Sequence, residues 1–303
     1  MSQPLLDRPQ QARPRARKGS RLFWTARGEG NPQVLLCDGL GCDGFIWRYL
    51  QPALARAHRV VHWHYPGHGQ SPAPREPRGY SLTSLADDAV TVLQTARASR
   101  AVVIGHSMGV QVALEMHRRH PEQVAALVLV CGSPGHPLDT FHDTSVLRAL
   151  LPVFRRTVDA APQGISRLTR ALVRSGIALE LALLFEVNPE LVNREDLQPY
   201  FNHFLSMDPR VFLRAMQAAS EHSAQDHLVA VDVPTLVIGG DRDRFTPAWL
   251  SRRMALEIAG AELMMVHGGS HTTPLEAPAR VEQAVADFLR RRVPGCHIQP
   301  PFA

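Results

Sequence analysis

The stretch Ala101–Val102–Val103–Ile104–Gly105–His106–Ser107–Met108–Gly109 decides the reading of this chain. Its first four residues are small or β-branched and apolar, as in a buried strand. From Met108 to His120 the pattern becomes helical, and Pro121 stops it. Between the two lies G-x-S-x-G. At average glycine usage of about 7%, that string alone arises by chance in roughly one chain in ten; its place between strand and helix gives it weight. A tight strand-to-helix turn forces unusual backbone angles on Ser107. Glycines two residues away on either side let neighbouring chain approach where a Cβ would clash. The hydroxyl then projects beyond the strand end, over a helix N-terminus that favours negative charge. Ser107 is therefore the candidate nucleophile, set against a glycine-rich turn with an incidental serine.

The same rhythm extends outward. Val34–Cys37, Arg59–Trp63 and Val124–Val130 read as strands. Residues 45–56 read as a helix broken early by Pro52. Residues 81–97 read as a helix with Leu82, Leu85, Ala89, Val92, Leu93 and Ala96 on one face. Strands written as continuous apolar runs, alternating with helices, predict an α/β fold with a mostly parallel sheet covered on both faces. From 137 to 228 no buried strand is legible, and apolar residues fall at helical spacing, as in Leu147–Leu151–Phe154 and Phe201–Phe204–Leu205. Strands resume at Pro234–Ile238 and Leu263–Val266, with helices from about Pro247 and over 279–292. The expected organisation is a basic, flexible arm (1–19), a sheet domain (20–136 and 229–292) interrupted by a helical cap (137–228), and a loose tail (293–303).

A serine hydroxyl needs a base held in place. Of fifteen histidines, His271 stands out, in the loop Gly268–Gly269–Ser270–His271 after the last strand. His58, His117, His120 and His222 read as surface groups. An orienting acid is expected between serine and histidine, and Gly240–Asp241–Arg242–Asp243 after strand 234–238 offers two choices.

These motifs together resemble the α/β-hydrolase family, in its serine-nucleophile, esterase- and lipase-like branch with a helical cap. The order Ser107, Asp, His271 is that fold's order. Pro66–Gly67–His68–Gly69–Gln70–Ser71 resembles the family's P-G-H-G-x-S turn. Asp243 and Pro247 match its G-x-x-D-x-x-x-P segment from Gly240, and Glu276 and Pro278 match the ending after His271, with Ser270 in place of a glycine. The match and its mid-loop position favour Asp243 over Asp241. The resemblance implies an oxyanion hole of the backbone N–H groups of Leu40 and Met108, although Asp38 replaces the usual histidine before Gly39. A carboxylate there would oppose an oxyanion, so Asp38 is expected to be turned away, hydrogen-bonded or neutral. His64 stands where an aspartate is usual, which bears on loop packing. Trp47, His106, Phe154, Phe185 and Phe204 are the candidate substrate contacts.

The resemblance implies a hydrolase of carboxylic esters or thioesters acting through an acyl-enzyme on an apolar small molecule. Carbon–carbon hydrolysis of a diketone, cofactor-free perhydrolase activity and a non-catalytic ligand receptor are the alternatives. Gly39-x-Gly41-x-x-Gly44 fits a dinucleotide fingerprint, but no acidic residue follows at a strand end about 20 residues on. His62, His64 and His68 cluster without a nearby carboxylate or cysteine and read as surface groups. No cofactor and no metal is expected. The 303 residues are 45% hydrophobic and 20% charged, which excludes a disordered chain and a membrane-spanning bundle. The net charge of +5 reflects Arg8, Arg13, Arg15, Arg17, Lys18 and Arg21, read as a solvated arm, with contact with an acidic partner or a transit peptide as the alternatives; nucleic acid is not suggested beyond that arm. Cys37, Cys42, Cys131 and Cys296 lack paired spacing, and no apolar leader is visible, so a reducing, cytoplasmic setting is expected. No pattern bears on oligomeric state.

Overall fold

The computed structural model describes residues 22–74, 80–140, 146–180, 187–293 and 295. The basic arm, nearly all of the tail and Cys296 lie outside the described residues.

Alternation within each strand supplies both faces of one sheet. The strands are β1 (Trp24–Arg27), β2 (Gln33–Cys37), β3 (Val60–Trp63), β4 (Ala101–His106), β5 (Val124–Val130), β6 (Thr235–Gly240) and β7 (Glu262–Val266), in the order β1-β3-β2-β4-β5-β6-β7. All neighbours are parallel except β1, which pairs antiparallel with β3. Leu35, Cys37, Val103, Leu127 and Val237 face one apolar layer, and Val34, Leu36, Val102, Val128 and Leu236 face the other. A strand buried on both sides needs apolar residues at every position, which is why these read as unbroken runs.

The first layer is closed by α2 (Leu82–Thr95) and α3 (Met108–Arg119), the second by α1 (Leu50–Leu54) and, at the far end of the chain, α10 (Pro278–Arg292). Ser81 caps α2 by accepting from the Ser84 N–H at 3.0 Å. Pro52 lies inside α1 rather than breaking a helix: it occupies the first turn, where its missing N–H costs nothing. A 3-10 turn over Phe45–Trp47 precedes it.

Between β5 and β6 the described residues form α4 (Val146–Ala160), α5 (Pro162–Arg174), α6 (Arg194–Ser206) and α7 (Pro209–Glu221). After β6 come α8 (Ala248–Glu257), β7 and the single turn α9 (Thr273–Glu276). Two expectations fail on the histidines. His58 and His117 are buried, because hydrogen bonds to the Pro32 carbonyl and to His227 and Asp232 satisfy their rings. His62, His64 and His68 are also buried rather than on the surface.

Candidate active site

Ser107 sits between β4 and α3 at φ 55° and ψ −118°, a conformation few non-glycine residues adopt. The flanking glycines explain how the turn closes. A Cβ at Gly105 would lie 2.2 Å from the Gly109 carbonyl oxygen, and one at Gly109 would lie 2.2 Å from that of Cys37. The chain turns because β2 and α3 pass this close, and the turn lifts the serine Oγ off the sheet.

Two loops at the ends of β6 and β7 meet that oxygen. His271 Nε2 is 2.9 Å from Ser107 Oγ, and His271 Nδ1 is 2.9 Å from Asp243 Oδ2. The Asp243 carboxylate is buried and also accepts from the Phe245 and Thr246 N–H groups, both at 2.9 Å, and from Thr246 Oγ1 at 2.8 Å. Asp241 faces away: it accepts from the Gly268 N–H at 2.7 Å and pairs with His267 at 2.8 Å. The loops are tied by the Arg242 N–H, which donates to the Gly269 carbonyl at 2.8 Å. Glu276 anchors the histidine loop by accepting from the Ser270 N–H at 2.6 Å, from Ser270 Oγ and from the Asn188 N–H at 3.0 Å. Ser270 thus supplies an extra bond where a glycine would supply none.

His106 Nε2 donates to the His271 carbonyl at 2.9 Å. Burial and the neighbouring His271 push the His106 ring down to about 3, so it stays neutral. Phe245 stacks on the His271 ring, with centroids 4.9 Å apart.

Leu40 and Met108 flank Ser107. A Cβ at Gly39 would lie 3.1 Å from that of Ser107, so the loop after β2 abuts the serine. Among the described residues, neither the Leu40 nor the Met108 N–H has a backbone acceptor. The Asp38 side chain points elsewhere, accepting from Trp47 Nε1 at 2.7 Å and His62 Nε2 at 2.8 Å. Burial pushes the Asp38 carboxyl up, but the charge and hydrogen bond of His62, with His64 and Trp47, outweigh it and hold the group below the ordinary carboxylate range. Trp47 is fully buried in this role and does not line the cavity, contrary to expectation. His64 Nδ1 accepts from the Gln70 N–H at 2.9 Å, pinning the turn that follows β3.

A cavity of about 600 Å³ opens on Ser107 and His271. Its walls include Leu138, Leu147, Leu197, Tyr200, Phe201, Phe212 and Met216, with no Lys, Arg, Asp or Glu among the described residues. Phe154 and Phe204 do not reach it. They line a second hollow of about 260 Å³, beyond Phe212, which borders both. Leu197, Tyr200 and Phe201 face the cavity; Phe204 lies one turn further along the same stripe, where the Phe212 ring stands against it with centroids 5.0 Å apart. Phe185 lies outside the described residues. Sequence reading missed Thr246 and Phe245; the signal was the D-x-F-T-P string, in which Asp243 caps its own loop.

A family model for the alpha/beta hydrolase fold matches residues 32–278. The chain belongs to the α/β-hydrolase fold family. It is a hydrolase of that family. Among its relatives, 2-hydroxymuconate semialdehyde hydrolase of Pseudomonas sp. is 31% identical over 268 residues, covering 86% of this chain and 88% of the relative. The uncharacterized hydrolase YugF of Bacillus subtilis is 26% identical, covering 85% and 90%. In three dimensions a thermophilic esterase from Thermogutta terrifontis superposes with a TM-score of 0.75 at 22% identity, covering 94% of this α/β-hydrolase and 99% of that chain. Among the described residues, no helix is long and apolar enough to cross a membrane.

Proposed function

We propose that this α/β-hydrolase cleaves carboxylic esters or thioesters of small molecules with an apolar acyl group, through an acyl-enzyme. One observation carries the reading: an unbroken line of hydrogen bonds from Asp243 through His271 to Ser107, opening on a cavity whose described walls are mostly apolar and carry no Lys, Arg, Asp or Glu. Ser107 Oγ attacks the carbonyl carbon while its proton passes to His271 Nε2. Asp243 keeps the other imidazole proton on Nδ1 and stabilises the cation. The carbonyl electron pair moves onto oxygen, which the N–H groups of Leu40 and Met108 receive. Collapse expels the alcohol or thiol, protonated by His271, and leaves acyl-Ser107. Water then gives a proton to His271 and attacks the acyl carbon; collapse breaks the acyl–Oγ bond, His271 returns the proton to Ser107 Oγ, and the acid leaves. In this reading residues 137–228 form a cap over the core of 20–136 and 229–292. The buried free thiols of Cys37, Cys42 and Cys131 support a cytoplasmic setting.

Similarity to the semialdehyde hydrolase favours a second reading, carbon–carbon hydrolysis on the same triad. A substrate of that class brings a carboxylate, and the described residues of the cavity wall offer no Lys or Arg to pair with it. Labelling with a fluorophosphonate, a panel of p-nitrophenyl esters and 2-hydroxymuconate semialdehyde separate the two. Ser107→Ala is expected to abolish labelling and ester turnover. Labelling of that variant at the wild-type rate would remove Ser107 from the mechanism.

A further inference from the structure

Of the twelve large apolar side chains left exposed among the described residues, eight lie between residues 146 and 191, outside the sheet domain. On α4, Val146, Leu150 and Val153 recur at helical spacing as a solvent-facing stripe, with Val146 59% exposed, and Phe154, 43% exposed, lies between that stripe and the hollow it lines. Leu147 and Leu151, on the neighbouring stripe, face inward. On α5, which packs beside α4, Leu168 (58% exposed) and Leu172 are exposed as well, and that helix buries none of its residues. A patch of this kind marks an interaction surface.

Charge identifies the partner. Residues 146–174 contain Arg148, Arg155, Arg156, Arg167, Arg170 and Arg174 against Asp159 alone. That excess of five equals the net charge of the whole chain. Arg156, Arg167, Arg170 and Arg174 make no ion pair among the described residues. A second copy docked face to face would set arginines against arginines. An acidic protein would meet the charge but offers no hydrocarbon layer for six bulky apolar side chains. An anionic lipid surface meets both: acyl chains for the stripe and phosphates for the guanidinium groups, in the manner of an interfacial amphipathic helix.

We propose that α4 and α5 dock this enzyme peripherally on an anionic lipid bilayer. Leu147 on α4 lines the catalytic cavity, so docking brings that cavity beside a reservoir of apolar molecules. This consequence rests on the ester reading; the docking does not.

The full chain is sedimented with vesicles of phosphatidylcholine alone and of phosphatidylcholine with phosphatidylserine. Binding is expected to the second only, and to weaken as salt rises. A basic residue near such a surface contributes about fivefold, so Arg156→Gln/Arg167→Gln/Arg170→Gln is expected to weaken binding by on the order of 100-fold. Leu150→Ser/Leu168→Ser/Leu172→Ser is expected to weaken it at least about tenfold. Both variants are expected to keep the wild-type melting temperature and the turnover of a short, water-dissolved ester, which separates lost docking from misfolding. Ser107→Ala is expected to bind vesicles like wild type, so a failed catalytic reading leaves this result standing. Equal binding to both vesicles, no binding, or binding that survives both triple variants overturns the proposal. So does a concentration-dependent dimer abolished by the leucine variant, which would assign the face to a second copy.

Discussion

Replacing Asp243 with asparagine tests the catalytic line at its most discriminating point. In the structure Oδ1 accepts from two backbone N–H groups, of Phe245 and Thr246, whereas Oδ2 faces His271 Nδ1 and Thr246 Oγ1. An asparagine must place its carbonyl oxygen on the two N–H groups, because its amide nitrogen cannot accept from them. The amide nitrogen therefore takes the Oδ2 position and donates toward His271 Nδ1. That reverses the hydrogen bond and favours the tautomer with its proton on Nε2, where it faces Ser107 Oγ and cannot accept the serine proton. By analogy with loss of the orienting aspartate in a serine protease, kcat is expected to fall by about 10⁴-fold. At roughly 1.36 kcal/mol per factor of ten, this is about 5.4 kcal/mol of barrier. Asp241→Asn, whose carboxylate holds only Gly268 and the exposed His267, is expected to cost under about tenfold, a bound set by the modest worth of such surface pairs. The assay is steady-state turnover of one p-nitrophenyl ester, with circular dichroism to verify folding. If the folded Asp243 variant stays within tenfold of wild type while the Asp241 variant collapses, the acid is misassigned and the derivation fails.

Three further outcomes follow from the geometry. Phe212→Ala removes the side chain between the catalytic cavity and the second hollow and is expected to move the preferred ester toward longer acyl chains. Each newly buried methylene adds about fourfold (about 0.8 kcal/mol) in kcat/KM; an unchanged chain-length profile would show that the hollows do not join. Glu276→Ala strands the buried N–H groups of Ser270 and Asn188 and is expected to lower stability by about 2–3 kcal/mol, read from urea unfolding. His64 and His106 are pushed down to about 3 and His68 to about 4, in each case chiefly by burial. Their folded pKa values lie below the unfolded ones, so between them the unfolded chain binds more protons. Their contribution is full above about pH 6.5 and is lost progressively as pH falls to about 4 for His68 and about 3 for His64 and His106, so the melting temperature is expected to drop across that window; a flat profile would contradict neutral burial of the three rings.

How much of this was legible in the sequence depends on whether a feature is local. The central strands were readable because burial on both faces leaves no polar position to interrupt the run, and observed ends such as Val124–Val130 agree with the expected ones. Edge strand β1 escaped because Trp24–Thr–Ala–Arg27 is short, with burial declining along it until Arg27 is exposed. The buried histidines escaped for a different reason. His117 is satisfied by His227 and Asp232, more than a hundred residues away, and no local pattern announces such partners.

The same distinction separates the two parts of the site. Ser107, Asp243 and His271 each lie just beyond the end of a strand, on turns whose own residues set the backbone: glycines at 105 and 109, the self-capping Asp243 loop, and the Ser270–Glu276 clasp. Parallel neighbours in one sheet bring strand ends together, so local turn chemistry plus strand order suffices to juxtapose the three residues. The cavity wall has no such shortcut. Phe201 and Phe204 belong to one apolar stripe of α6 and are indistinguishable by periodicity, yet Phe201 lines the catalytic cavity and Phe204 the hollow behind Phe212. What divides them is where α7 crosses α6 and places the Phe212 ring against Phe204, with centroids 5.0 Å apart. That crossing is fixed by side chains from two helices at once, so it is a property of the packing and not of either segment. On the proposed reading, chemistry in this chain is therefore encoded at strand ends, whereas substrate choice is encoded between helices, and substitutions at Phe212 are expected to alter the second while leaving the first in place.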